Sequence, residues 1–126
     1  MTGGAGYIGA VTAQALLDAG HEAWVVDDLS LGHREAVPSG ARFERLNLLD
    51  LAATREAFAR AKPDAVLHFA AHSRVGESFR EPWKYLEENV AMGLHAMRAA
   101  VEAGAPRFVL SSTANLYGAP ARIPIS

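Results

Sequence analysis

Three glycines at three-residue spacing, Gly3, Gly6 and Gly9, stand in the run Gly3-Gly4-Ala5-Gly6-Tyr7-Ile8-Gly9, directly ahead of a stretch with helical period. That spacing suits a phosphate-binding turn. The first glycine lets the chain reverse, the second lets backbone approach a pyrophosphate, and the third lets the helix pack closely on a strand. Unpaired N–H groups and the positive end of the helix would then face the phosphates. Glycine-rich turns also simply join elements, so the motif needs a partner. Asp27 supplies one, because it closes the next strand-like run at the distance, about 20 residues, where a carboxylate accepts hydrogen bonds from ribose hydroxyls. The same carboxylate would repel an extra phosphate on that ribose, which favours NAD over NADP. Asp28, directly after it, is the alternative acceptor.

Other polar residues read more plainly. Ser111, Ser112 and Thr113, taken by themselves, are hydroxyls that cap a loop. His68 lies inside an apolar run and reads as a hydrogen-bonded core histidine before it reads as a base. His21, His33, His72 and His95 have no metal-ligand spacing, so no metal is expected. Tyr85, Met92 and Met97 fall at helical intervals and suit helix packing, and Glu87 and Glu88 suit a solvated face.

Short β-rich runs alternate with longer helical stretches along the chain, the pattern of βαβ units stacked into a parallel sheet covered on both faces. The spacing predicts a helix from Tyr7 through Ala10, Val11, Ala15, Leu16 and Leu17, with Gly20 just past its end. A strand follows over 22–26, then a turn-rich loop over 28–41 and a weaker strand over 42–46. Asp50 can cap a helix over 51–61 whose apolar face is Leu51, Ala57, Phe58 and Ala61. Lys62, Pro63 and Asp64 break it before a buried strand over 65–69. Pro82 suits the first turn of the longest helix, with Tyr85, Val90, Leu94, Met97, Ala100 and Val101 as its apolar stripe and Gly104 and Pro106 as its stop. A last strand covers 107–110. The reading is an α/β, doubly wound parallel sheet formed by one structural unit.

Composition narrows the function classes. With 126 residues, 50% of them hydrophobic, the chain can bury the core of one ordinary domain. Twelve Lys and Arg against fourteen Asp and Glu, a net charge of −2, give no basic field for a phosphate backbone, so nucleic acid is not an expected partner. Cysteine is absent, which removes disulfides, thiolate metal sites and cysteine nucleophiles together. No apolar run approaches the roughly 20 residues of a bilayer span, and no basic stretch leads into an apolar one at the start. No membrane partner and a cytoplasmic location are the expectations.

Together these blocks carry a likeness. The glycine run after Thr2, the run from Asp27 to Pro38, His68-Phe69-Ala70-Ala71, Val75-Gly76-Glu77-Ser78 with Pro82, Tyr85, Asn89 and Val90 behind it, Ser111-Ser112-Thr113-Ala114 and Tyr117-Gly118 resemble the extended short-chain dehydrogenases. Within that family the chain is similar to the UDP-hexose 4-epimerases, and the runs over 32–38 and 75–78 set it apart from related dehydratases and decarboxylases. The resemblance implies a Rossmann-like fold with NAD held by Gly3, Gly6, Tyr7, Ile8 and Gly9 on the pyrophosphate and by Asp27, or Asp28, on the ribose. It implies Asn47 and Leu48 against adenine, Phe69, Ala70 and Ala71 lining the cofactor, Asn89 on the cofactor side of the long helix, and Ser111 and Ser112 below the nicotinamide. Thr113 matches the catalytic Ser/Thr that hydrogen-bonds the sugar hydroxyl being oxidised. The implied reaction interconverts UDP-galactose and UDP-glucose through a 4-keto sugar, with a homodimeric parent enzyme. Two positions depart from the family: Asn47 replaces the usual aspartate, and His72-Ser73-Arg74 stands where some members have a lysine.

The ends carry expectations of their own. A glycine turn of this kind follows a buried strand, yet only Met1 and Thr2 precede Gly3, so the first strand is expected to be largely missing. The family's Tyr-x-x-x-Lys pair is absent too. Tyr117 has Ala121 four residues on, so it is not the catalytic tyrosine, and a substrate domain is not represented. Against the epimerase reading stand another nucleotide-sugar epimerase or dehydratase, and an inactive fragment that binds nucleotide weakly or not at all.

Overall fold

Helix α1 (Tyr7–Asp18) begins where the glycine run ends, and Gly20, at φ 83°, follows its last turn in the left-handed region. The structure, a computed structural model, describes residues 1–113, 116, 118, 119 and 121–123; Ala114 and Tyr117, both part of the family likeness, lie outside the described residues. Strand β1 (Trp24–Asp27) comes next, and a loop containing a 3₁₀ turn (Arg34–Ala36) leads to β2 (Arg42–Arg45). These strands pair in parallel with Val25 opposite Phe43. Helix α2 (Leu51–Ala61) has the predicted bounds, and the Asp50 carboxylate accepts from the Ala53 N–H at 3.0 Å as its cap. Strand β3 (Val66–His68) pairs in parallel with β4 (Phe108–Leu110). Between them run the one-turn helix α3 (Val75–Ser78) and the long helix α4 (Pro82–Glu102), with proline in its first turn.

Two residues join the strand pairs. Thr2 bridges in parallel to Val26 on one side and His68 on the other. Thr2 N–H donates to the Leu67 carbonyl at 3.0 Å and the Thr2 carbonyl accepts from Phe69 N–H at 3.1 Å, while Val26 N–H donates to Met1 and Gly3 N–H to Val26, both at 2.8 Å. Across the sheet the order is therefore β2, β1, Met1-Thr2, β3, β4, all parallel. The place of the expected first strand is thus held by two residues. The Thr2 hydroxyl lies 2.7 Å from His68 Nδ1 with both residues buried, so His68 is the hydrogen-bonded core histidine anticipated from its apolar neighbours.

Successive residues of a strand point to opposite faces, and β1 shows both faces covered. Val25 packs with Ala5, Ala13 and Val37 on the α1 side. Val26 packs with Leu48 and Met92 on the α4 side, beside a second cluster of Ala57, Phe58, Val66, Ala96, Ala99 and Ala100 from α2, β3 and α4. The fold is a small, doubly wound α/β sheet of Rossmann type.

The helix faces correct the periodic reading. In α4 the buried residues are Met92, Ala96, Ala99 and Ala100, whereas Val90, Leu94, Met97 and Val101 are exposed. Small side chains let α4 lie close to α2 and β3, and a closely packed seam has no room for the larger ones. In α1, likewise, Gly9 and Ala13 are buried while Val11 is exposed. In α2, Thr54 joins Ala57 and Phe58 on the buried face.

Candidate functional site

Loops at the carboxyl ends of the parallel strands surround a cleft of about 820 Å³. Ligands of open α/β sheets bind at this edge. One wall is the glycine turn with the first turn of α1, Gly3, Gly6, Tyr7, Ile8 and Gly9; the far wall is formed by Phe69, Ala70 and Ala71 after β3 and by Ser111, Ser112 and Thr113 after β4. Asp27, Asp28 and Leu48 close the end beside β1.

The glycines differ in what the fold asks of them. Gly3 has φ 70°, and a Cβ there would stand 2.5 Å from the Ala70 nitrogen, so only glycine fits. A Cβ at Gly9 would overlap the Gly3 carbonyl oxygen, so its absence lets α1 seat on the turn. Gly6 is otherwise. Its φ of −80° and ψ of 169° are open to any residue, and a Cβ would meet nothing nearer than the Gly3 oxygen at 3.5 Å. The protein interior does not require glycine at position 6; the bare backbone leaves room in the cleft.

Asp27 is tied down before any ligand arrives. Its Oδ2 accepts from Ala5 N–H at 3.0 Å and its Oδ1 from Leu29 N–H at 2.9 Å, linking β1 to the glycine turn and holding Leu29 at φ 63°, a strained value for a leucine. A carboxylate has about four acceptor sites, so two stay available for hydroxyls facing the cleft. Asp28 accepts from Ser30 N–H at 2.8 Å. The loop beyond leans on the turn, for His33 N–H donates to the Ala5 carbonyl at 3.0 Å. Arranged this way, the cleft offers free N–H groups and a helix dipole for phosphate, a preoriented carboxylate for a diol, and a row of hydroxyls across from them.

The whole chain, residues 1–126, matches the NAD dependent epimerase/dehydratase family. The chain belongs to that family. Among similar proteins, the UDP-glucose 4-epimerase of Streptomyces lividans is 48% identical over 126 residues, covering 99% of this chain and 38% of that protein. The crystal structure of UDP-glucose 4-epimerase from Brucella ovis in complex with NAD superposes with a TM-score of 0.92 at 39% identity, covering 98% of this chain and 38% of that one. The Thermotoga maritima UDP-glucose 4-epimerase solved with UDP-glucose gives a TM-score of 0.89 at 32% identity, covering 97% and 40%. The chain thus spans about 38% of the length of curated relatives it matches.

In this member of the epimerase/dehydratase family, two residues expected at the cofactor stand outside the cleft wall. Asn47 is exposed, and its side-chain oxygen accepts from Leu49 N–H at 2.9 Å, shaping its own turn. Asn89 grips the backbone of His72. Conversely, Ser30, Leu31, Gly32, Leu46, His72, Ser73 and Met92 line the cleft and were not singled out as site residues from sequence. The position of Ser30, Leu31 and Gly32 directly after the acidic pair was the available signal. No comparable signal marks Met92, which reaches the cleft from the buried face of α4. Glu88, expected on a solvated face, instead pairs with His72.

Proposed function

We propose that this chain is the NAD-binding part of a UDP-glucose 4-epimerase. One observation carries the reading: the glycine turn, the Asp27 carboxylate and Ser111 to Thr113 face a single cleft, in which Gly6 is bare for no reason of internal packing. A dinucleotide fits this donor set, with the pyrophosphate on the N–H groups of the turn and α1, and the adenosine ribose on Asp27. Bound NAD supplies the oxidant, and then the reductant, that takes carbon 4 of a UDP-hexose through a 4-keto sugar. The residues of this chain orient the reactants: Ser111 and Ser112 floor the nicotinamide end, and Thr113 hydrogen-bonds the sugar hydroxyl. The described residues include no Tyr-x-x-x-Lys pair to take the hydroxyl proton, so the 126-residue chain binds cofactor without turning over sugar. The exposed stripe of Leu86, Val90, Leu94, Met97 and Val101 on α4 supports a homodimeric parent protein.

Calorimetric titration of the 126-residue chain with NAD and with NADP tests the reading. NAD binds in preference, and Asp27→Ala weakens NAD at least tenfold while narrowing the gap to NADP. Absence of NAD binding overturns the proposal. Incubation with UDP-galactose and NAD yields no UDP-glucose above background, and turnover would show that another group in the cleft acts as the base.

A further inference from the structure

The loop after β3 carries His72 to the cleft, and four contacts with three residues of α4 fix it there. His72 N–H donates to Asn89 Oδ1 at 2.7 Å, and Asn89 Nδ2–H donates back to the His72 carbonyl at 3.1 Å. The imidazole Nε2 lies 2.7 Å from Glu88 Oε2, and the ring packs on Tyr85 with centroids 5.6 Å apart. Backbone and side chain of one loop residue are therefore held by one turn of one helix.

Two features separate this pair from an ordinary surface ion pair. The His72 side chain is only 16% exposed, so the contact is shielded on most sides. A carboxylate only accepts, so Nε2 carries the proton, and the ring is fixed in both orientation and protonated edge. The loop's place in the sheet says which part of a ligand it meets. β3 and β4 are neighbours, with Ser111 N–H donating to the His68 carbonyl at 3.1 Å, so the His72 loop and the Ser111 to Thr113 loop leave adjacent strand ends, across from Asp27.

We propose that Glu88 is a positioning residue for the cleft, acting through His72: it holds the imidazole as part of the wall against the nicotinamide half of a bound dinucleotide. The inference rests on the dinucleotide reading above. Glu88 touches no ligand. Losing its carboxylate frees the ring to turn out of the wall while Asn89 still holds the backbone, so the effect falls on one half of the ligand. Glu88→Gln keeps an acceptor oxygen for Nε2–H and preserves the wall.

Titrating the 126-residue chain and its variants with NAD and with ADP, which lacks the nicotinamide half, tests this. Glu88→Ala weakens NAD five- to tenfold and leaves ADP within twofold, Glu88→Gln stays within twofold for both, and Glu88→Ala adds nothing in a His72→Ala background. Parallel loss of NAD and ADP would reduce Glu88 to a general structural role and overturn the proposal. So would unchanged NAD affinity, or a Glu88→Ala effect that persists without His72. Failure of the unaltered chain to bind either ligand would reject the dinucleotide reading itself, and this inference with it.

Discussion

A side chain at Gly6 would enter the cleft, whereas one at Gly9 would enter the protein. The two substitutions should accordingly fail in different ways. Gly6→Val is expected to fold, at a cost of about 1 kcal/mol because valine is a poor residue at a helix N-cap, and to lose NAD binding by more than tenfold. Gly9→Val should not fold. Circular dichroism melts beside NAD titrations distinguish them, and a Gly6→Val chain that keeps its NAD affinity would remove the pyrophosphate from this turn. The glycine spacing and Asp27 are readable in the sequence because both recur at fixed intervals with a local reason. Further detail is not. That Asp27 also tethers Ala5 and Leu29, and that Glu88 pairs with His72, depends on where strand ends and helices meet in space, which residue type does not encode.

Helix α2 was legible because its signals are local: a capping aspartate at one end and Lys62-Pro63 at the other. The faces of α1 and α4 were not, since large and small apolar residues both recur at helical period, and the choice between them is made by how closely the neighbouring element approaches. Lys62 marks a cost at the exit of α2. It adopts φ 43°, a left-handed conformation that costs a residue with a Cβ about 1 kcal/mol or more, and its own N–H caps the helix by donating to the Phe58 carbonyl at 2.9 Å. Lys62→Gly keeps that backbone bond and removes the clash. Its urea midpoint should rise by the equivalent of about 1 kcal/mol with an unchanged slope. A lower midpoint would mean that glycine's extra freedom in the unfolded chain outweighs the relief.

Over the whole molecule, the alternation of strands and helices was enough to give the doubly wound architecture, while the manner in which two residues stand in for a central strand was not. The buried His68 beside that segment sets a pH dependence for the fold. Burial holds its imidazole below the ordinary value of 6.5, so just under that pH the unfolded chain binds a proton that the folded chain refuses. Stability should begin to fall as pH drops below about 6.5 and level off once the folded-state pKa is passed, whereas the lowered carboxyls of Glu77 and Glu102 begin to cost stability only as pH falls below their ordinary value of 4.5. Urea midpoints between about pH 7 and 5 measure it, and a His68→Asn chain should be weaker and lose less stability over that window, the slope that remains at its upper end belonging to the buried Met1 amine, which burial lowers from 8.0 to about 6. An unaltered chain whose midpoint falls no more steeply than that of the His68→Asn chain would rule out a neutral His68. The segment at positions 1 and 2 has a different consequence for how the sheet opens. Four backbone hydrogen bonds of residues 1–3, with that of the Met1 amine to the Trp24 carbonyl at 2.6 Å, are the rungs between one half-sheet and the other, and they close loops reaching from position 2 to position 69. Neither half can slide or peel without breaking rungs on both sides of Thr2, so the amide protons of Thr2, Gly3, Val26 and Phe69 should exchange with solvent in a single concerted event.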